Sequence, residues 1–143
     1  MIVIDANLLI YSYDAASAHH LKSSAWIEQT LSSGEPVGLS WQTVSAFLRV
    51  VTNRRLPGKR VDLREALDAV QEWLQVPSVS ILIPGEAHWP VLRRMILEGG
   101  ASGPLVTDAQ LAALAIEYGG VLYTADRDFA RFPGLRWKNP LAS

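Results

Sequence analysis

No cysteine occurs in the 143-residue chain. Disulfides, thiolate metal sites and cysteine nucleophiles are therefore excluded. A cysteine-free chain suits a reducing cytoplasm, the compartment expected here. Long hydrophobic runs are missing as well: none approaches the roughly 20 residues that cross a bilayer, so no membrane association is expected. The first residues show neither a basic stretch nor a small-residue cleavage site, and no secretion signal is read there. Charge of one sign is not in excess: 13 Lys and Arg against 14 Asp and Glu leave a formal net charge of −1. With pI about 6.3, no global basic field draws in polyanions, and nucleic-acid binding needs a local patch. There is no Gly-x-Ser-x-Gly elbow and no Gly-x-x-x-x-Gly-Lys loop, which argues against a serine hydrolase and a P-loop nucleotide site.

Hydrophobic residues are 49% of the chain and charged residues 19%, the balance of an ordered globular protein, and its length suits one domain over residues 1–143. Ile2 to Ile4 fill consecutive apolar positions and predict a doubly buried strand. A helix is expected from Asn7 to Tyr13. A second carries Leu21, Ala25, Trp26 and Leu31 at near-helical spacing and stops at Gly34. Pro36 to Leu39 is the second strand. Ser40 caps a helix with Val44, Phe47, Leu48 and Val51 on one stripe. A Pro-Gly loop covers Asn53 to Arg60. Asp62 and Glu65 have the spacing of a capping box before a helix expected to bury Leu63, Leu67, Val70 and Leu74. The third strand is Val79 to Ile83, followed by a helix from Glu86 to Leu97 that ends at Gly99-Gly100. A helix from Asp108 to Tyr118 then leads to a strand at Val121 to Tyr123, and Leu135 to Trp137 supplies a fifth candidate. Strands alternating with helices imply an α/β fold: a central parallel sheet of four to five short strands with helices on both faces.

In such sheets ligands bind beyond the carboxyl ends of the strands. Asp5 follows the first strand, Asp126 and Asp128 follow the fourth, and Asp108 opens the helix between them. Parallel neighbours would gather these carboxylates on one edge, where they repel one another unless a cation compensates them. Mg²⁺ and Mn²⁺ prefer such hard oxygen donors, and a carboxylate-held ion suits phosphodiester hydrolysis. Asn7 and Thr107 stand beside Asp5 and Asp108 and could orient them. Each residue also has a purely structural reading. Asp108 can cap its helix, Asp128 can cap the turn around Phe129, and Asn7 can cap the first helix. Asp5 is the exception, since no helix of obvious quality starts on it.

The segments Ile4-Asp5-Ala6-Asn7, Val106-Thr107-Asp108-Ala109 and Thr124-Ala125-Asp126-Arg127-Asp128-Phe129 occur in the order of the PIN domain, which the chain resembles over nearly its whole length. Ser40-Trp41-Gln42, Phe47 to Asn53 and the tail from Phe129 to Pro140 resemble one subgroup of VapC-type toxins of bacterial type II toxin–antitoxin systems. The resemblance implies a PIN-like fold and a Mg²⁺-dependent endoribonuclease in which Mn²⁺ can substitute. It further implies a cognate VapB-type antitoxin that blocks the acidic pocket, and a homodimer. By the match, Asp5, Asp108 and Asp126 are the catalytic residues, with Asp5 and Asp108 the principal metal ligands, Asp126 a ligand directly or through metal-bound water, and Asp128 accessory. One departure stands out: many PIN domains carry a glutamate where this chain has Ala46, and no acid lies between Ser40 and Arg60. That puts a second, fully held ion in doubt.

Arg54, Arg55, Lys59 and Arg60 form a basic loop that either contacts an RNA backbone or is simply solvated. Arg49, on the helix expected to flank the pocket, touches substrate or pairs with a pocket aspartate. His19-His20 read as an exposed helix start. The five tryptophans read mostly as core or interface, with base stacking an alternative that no motif supports. Two other classes remain. Receiver-type and dehalogenase-like phosphotransfer folds also collect acids at strand ends, but Ala6-Asn7 after Asp5 fits both badly. A PIN-like module that binds RNA or protein without cutting fits the missing glutamate.

Overall fold

A computed structural model describes residues 1–53 and 61–142. The basic-loop positions Arg54, Arg55, Lys59 and Arg60 lie outside the described residues. The chain runs β1 (Ile2–Ile4), α1 (Ala6–Tyr13), α2 (His20–Ser32), β2 (Val37–Leu39), α3 (Trp41–Val51), α4 (Leu63–Gln75), β3 (Val79–Ile81), α5 (His88–Gly99), α6 (Leu105–Glu117), β4 (Val121–Tyr123) and β5 (Trp137–Lys138). A short 3₁₀ turn, Arg127–Arg131, lies between the last two strands.

Five strands form one sheet in the order β3-β2-β1-β4-β5, and every neighbouring pair is parallel. The expected α/β architecture is therefore present. Parallel pairing demands coverage of both faces. Adjacent residues of β1 divide between two cores, as a side-chain period of two requires. Ile4 joins Val37, Leu39, Phe47 and Trp73 in a core built with α1 to α4. Val3 joins Leu122, Met95 and the alanine-rich face of α6. In the first core Phe47 and Trp73 meet edge to face at 4.7 Å between centroids.

Where the sequence reading placed element ends, several shift. The third strand closes at Ile81, the helix expected from Glu86 starts at His88, and the last strand sits at Trp137–Lys138. Gly100 ends α5 in the left-handed conformation (φ 62°) that lacks a Cβ penalty. Two helical stripes were read in the wrong phase. Leu63 and Leu67 are exposed; α4 buries Val70 as expected and packs Leu74 against the core, and its other buried residues are Ala66, Ala69 and Trp73. On α2 Leu21 is exposed while Ser23, Ile27 and Thr30 are buried. Ser23 tolerates burial because its hydroxyl donates to the Leu8 carbonyl. Polar residues that pay for burial with a local hydrogen bond are invisible to a hydrophobic pattern. Of the tryptophans, Trp73 is core, whereas Trp41 and Trp89 are more than half exposed.

Candidate active site

The strand order reverses direction at β1, with β2 on one side and β4 on the other, and this is where a ligand crevice is expected. Register does the rest. Ile4 pairs with Tyr123, so the next residue of each chain, Asp5 and Thr124, emerge side by side. The Asp5 amide donates to the Tyr123 carbonyl at 3.0 Å, extending the ladder by one bond.

Thr124 is fully buried and uses its hydroxyl completely. It donates to Oδ2 of Asp5 at 2.7 Å. It accepts from Nδ2 of Asn7 at 3.2 Å and from the Asp126 amide at 3.0 Å. Asn7 closes the network by accepting from the Ala125 amide at 3.4 Å. Asn7 is thus an orienting group and not the cap of α1. The cap is Asp5 itself, whose Oδ1 accepts from the Ala6 amide at 2.7 Å. That corrects the expectation that no helix starts on Asp5. The helix expected from Asn7 is present but starts one residue earlier, and its cap leaves little signal because α1 (ANLLIYSY) is apolar on nearly every side and carries no capping box. Each Asp5 oxygen accepts one bond from this network, leaving further lone pairs for another partner.

Asp108 sits in the first turn of α6, which begins three residues earlier than expected, at Leu105. It is therefore not a cap, although the helix N-terminus favours its charge. Asp126 caps the 3₁₀ turn by accepting from the Asp128 amide at 2.9 Å, so that turn is capped by Asp126 and not by Asp128, which is exposed. From the other side α3 starts at Ser40, whose Oγ accepts from the Thr43 amide at 3.0 Å as the sequence suggested. This sets Gln42, Thr43 and Ala46 against the acids. Asp5, Ala6, Gln42, Thr43, Ala46, Thr107, Asp108 and Leu111 line one pocket of about 140 Å³. Gln42 Nε2 donates to the Thr107 carbonyl at 3.3 Å, tying α3 to α6 across it. Thr107 thus contributes its backbone, and its exposed side chain has no role in this contact. Arg49 is exposed on α3.

Asp5 and Asp108 feel their acidic neighbours. Burial pushes the Asp5 carboxyl above its ordinary range; the bonds from Thr124 and Ala6 oppose the rise, and Asp126 adds to it. Asp108 is pushed up to about 6, first by burial and then by Asp126, Asp5 and Asp128, with Arg131 pulling the other way. This is the signature of like charges held together in a partly dry crevice. Among the described residues no three His, Asp or Glu side chains stand close enough to enclose an ion unaided. The donors are anionic oxygens that repel one another, which fits a hard divalent cation held by a few carboxylates and completed by water and substrate oxygens.

Thr124 and Gln42 were not singled out as functional from sequence. Thr124 lay in plain view between a buried strand and Asp126, whereas Gln42 acts across space and leaves no local signal.

The family model described as PIN domain matches residues 2–135. Ribonuclease VapC37 of Mycobacterium tuberculosis is 37% identical over 142 residues, covering 99% of both chains. Ribonuclease VapC33 of the same species is 35% identical over 141 residues, again covering 99% of both. The fold is shared with VapBC2 from Rickettsia felis bound to a promoter DNA fragment (TM-score 0.70, 16% identity, 97% of this chain and 98% of that one). It is shared also with the M. tuberculosis sarcin-ricin loop cleaving toxin VapC20 (TM-score 0.64, 19% identity, 95% and 99%). The chain belongs to the PIN domain family.

Proposed function

We propose that this protein is a Mg²⁺- or Mn²⁺-dependent endoribonuclease and the toxin of a type II toxin–antitoxin pair. The observation that carries the reading is the convergence of Asp5, Asp108, Asp126 and Asp128 at the β1/β4 crevice, with the Asp108 carboxyl raised to about 6 by burial and by its neighbours. The full-length relatives named as VapC ribonucleases support it. Asp5 and Asp108 would hold the ion, with Asp126 a ligand directly or through metal-bound water and the remaining positions left to water and substrate oxygens. A bound divalent ion supplies charge neutralisation at phosphoryl oxygens and a more acidic water. The chain's own residues supply the rest. Thr124 and Asn7 fix the carboxylate of Asp5 and the backbone that carries Asp126. Gln42 holds α3 against the start of α6 and so sets the width of the pocket. An antitoxin of the VapB type would cover the acidic pocket, and the exposed Leu63 and Leu67 of α4 and Trp89 and Leu97 of α5 offer apolar surface for it and for a second copy of the toxin.

A second reading, a PIN-like binding module without catalysis, draws on Ala46, which stands in the pocket wall where a further carboxylate would be useful. One assay separates the two. Purified, partner-free protein is incubated with total bacterial RNA in Mg²⁺, in Mn²⁺ and in EDTA. Discrete fragments that require metal are expected. RNA that is bound but uncut under saturating Mn²⁺ would establish the binding module instead.

A further inference from the structure

A second pocket of about 210 Å³ lies beside the acidic one, lined by Ser40, Trp41, Gln42, Leu82, Ile83, Pro84, His88, Gln110 and Leu114. Gln42 belongs to both linings, so the two share a wall one side chain thick. We propose that this side pocket receives one nucleobase of the RNA strand whose phosphate lies at the carboxylates, and that it sets the base preference of cleavage. The proposal rests on the ribonuclease reading and adds a specificity site to it.

Charge decides the class of occupant. Among the described residues the lining holds no carboxylate, lysine or arginine, so the pocket suits the neutral part of a nucleotide and not its phosphate. Size agrees: drug-sized ligands occupy about 300–1,000 Å³, and a smaller space suits one planar ring system. The walls suit a base as well. Trp41 offers an indole that is 56% exposed, and Ile83 beside it is 62% exposed, an unusual amount of apolar surface next to an acidic crevice. Single-stranded RNA is read by splaying a base onto an aromatic face and bonding its edge. Gln42 and Gln110 supply amides that both donate and accept, the groups that read such an edge.

His88 lines the pocket with a ring whose orientation is fixed from behind. Its Nδ1 is 2.5 Å from Oε2 of Glu117, and Oε1 of Glu117 accepts from the Gly85 amide at 3.2 Å. The carboxylate favours a proton on Nδ1, so Nε2 is the other polar atom of the ring. That Nε2 is buried and has no partner among the described residues. Tyr118 holds the same wall by donating to the Ile83 carbonyl at 2.8 Å and accepting from its amide at 3.1 Å. The pocket is thus preformed, as a reading site must be.

An abasic scan tests the proposal without needing turnover. Short RNAs spanning a mapped cleavage site, or a panel of single-stranded RNAs if none is mapped, carry one abasic residue at each position in turn. Their affinities are measured by anisotropy for Asp5→Asn and for the double variants Asp5→Asn/Trp41→Ala and Asp5→Asn/Gln110→Leu, with circular dichroism confirming that each is folded. One abasic position is expected to weaken binding to Asp5→Asn about tenfold and to have less than about a twofold effect on both double variants. Binding that is equally sensitive to that position in all three proteins would overturn the pocket assignment while leaving the ribonuclease reading intact. Failure of both Asp5→Asn and the parent protein to bind any RNA, with or without Mn²⁺, would overturn both. Loss of affinity for the co-purified antitoxin in the Trp41 and Gln110 variants, with the abasic profile unchanged, would assign the pocket to a protein side chain instead.

Discussion

The hydroxyl of Thr124 donates to Oδ2 of Asp5 at 2.7 Å, across 119 positions of sequence. The bond exists because β1 and β4 are parallel neighbours in a register that pairs Ile4 with Tyr123. Thr124→Val keeps the shape and removes every polar contact. The half-buried Asn7 side-chain amide and the Asp126 backbone amide then lose their acceptor, at a cost of about 1–3 kcal/mol in stability. Metal affinity and cleavage rate are expected to fall 10–100-fold, the usual effect of removing a group that orients a ligand. Thr124→Ser should restore both, as measured by cleavage kinetics and denaturant melts.

Asp108 makes the metal-free protein sensitive to pH. Its carboxyl is pushed up to about 6 in the fold by burial and by its acidic neighbours, from an ordinary value of 3.8 that the unfolded chain keeps. Between these values the unfolded chain releases the proton first, so stability is lost as pH rises through this window. Asp108→Asn lacks the effect. In EDTA its melting temperature should exceed that of the parent by a margin that grows from pH 4 to about pH 6 and then levels off. A margin independent of pH would remove the electrostatic account of this residue.

Gly38 lies in β2, and a Cβ there would stand 2.5 Å from Cδ1 of Leu82. Leu82 is buried and has little room to move. Gly38→Ala is expected to destabilise the fold by about 1–3 kcal/mol, read from urea unfolding, and to disturb the side pocket that Leu82 lines.

Much of this arrangement was legible in the chain. Consecutive apolar residues at Ile2–Ile4 and Val121–Tyr123 announced buried parallel strands, and the acids after them announced the edge where chemistry would gather. Less legible was anything decided by contacts across space. The amphipathic phase of α4 was misread because Trp73 and two alanines, not Leu63 and Leu67, face the core. Asp5 was not recognised as a cap because its helix has no polar face to mark a beginning. The bonds of Gln42 to Thr107 and of His88 to Glu117 span 65 and 29 positions, and no local pattern encodes them.

Ala46 offers a gain-of-function test. It lines the same pocket as Asp5 and Asp108, so Ala46→Glu adds a carboxylate where many PIN domains have one. Mn²⁺ affinity should rise at least about tenfold with the added ligand charge, measured calorimetrically. The metal-free variant should melt lower at neutral pH than at pH 4.5, because another buried charge joins the cluster.

The central claim is that Asp5 is tolerated at the end of a buried strand because a cation compensates it. The most direct measurement is a Mn²⁺ titration followed by electron paramagnetic resonance, comparing the parent with Asp5→Asn. Asparagine caps helices as well as aspartate does, so α1 should persist and the melting temperature in EDTA should change little or rise. The account predicts saturable Mn²⁺ binding by the parent and at least tenfold weaker binding by Asp5→Asn. Equal Mn²⁺ affinity in the two folded proteins would contradict it.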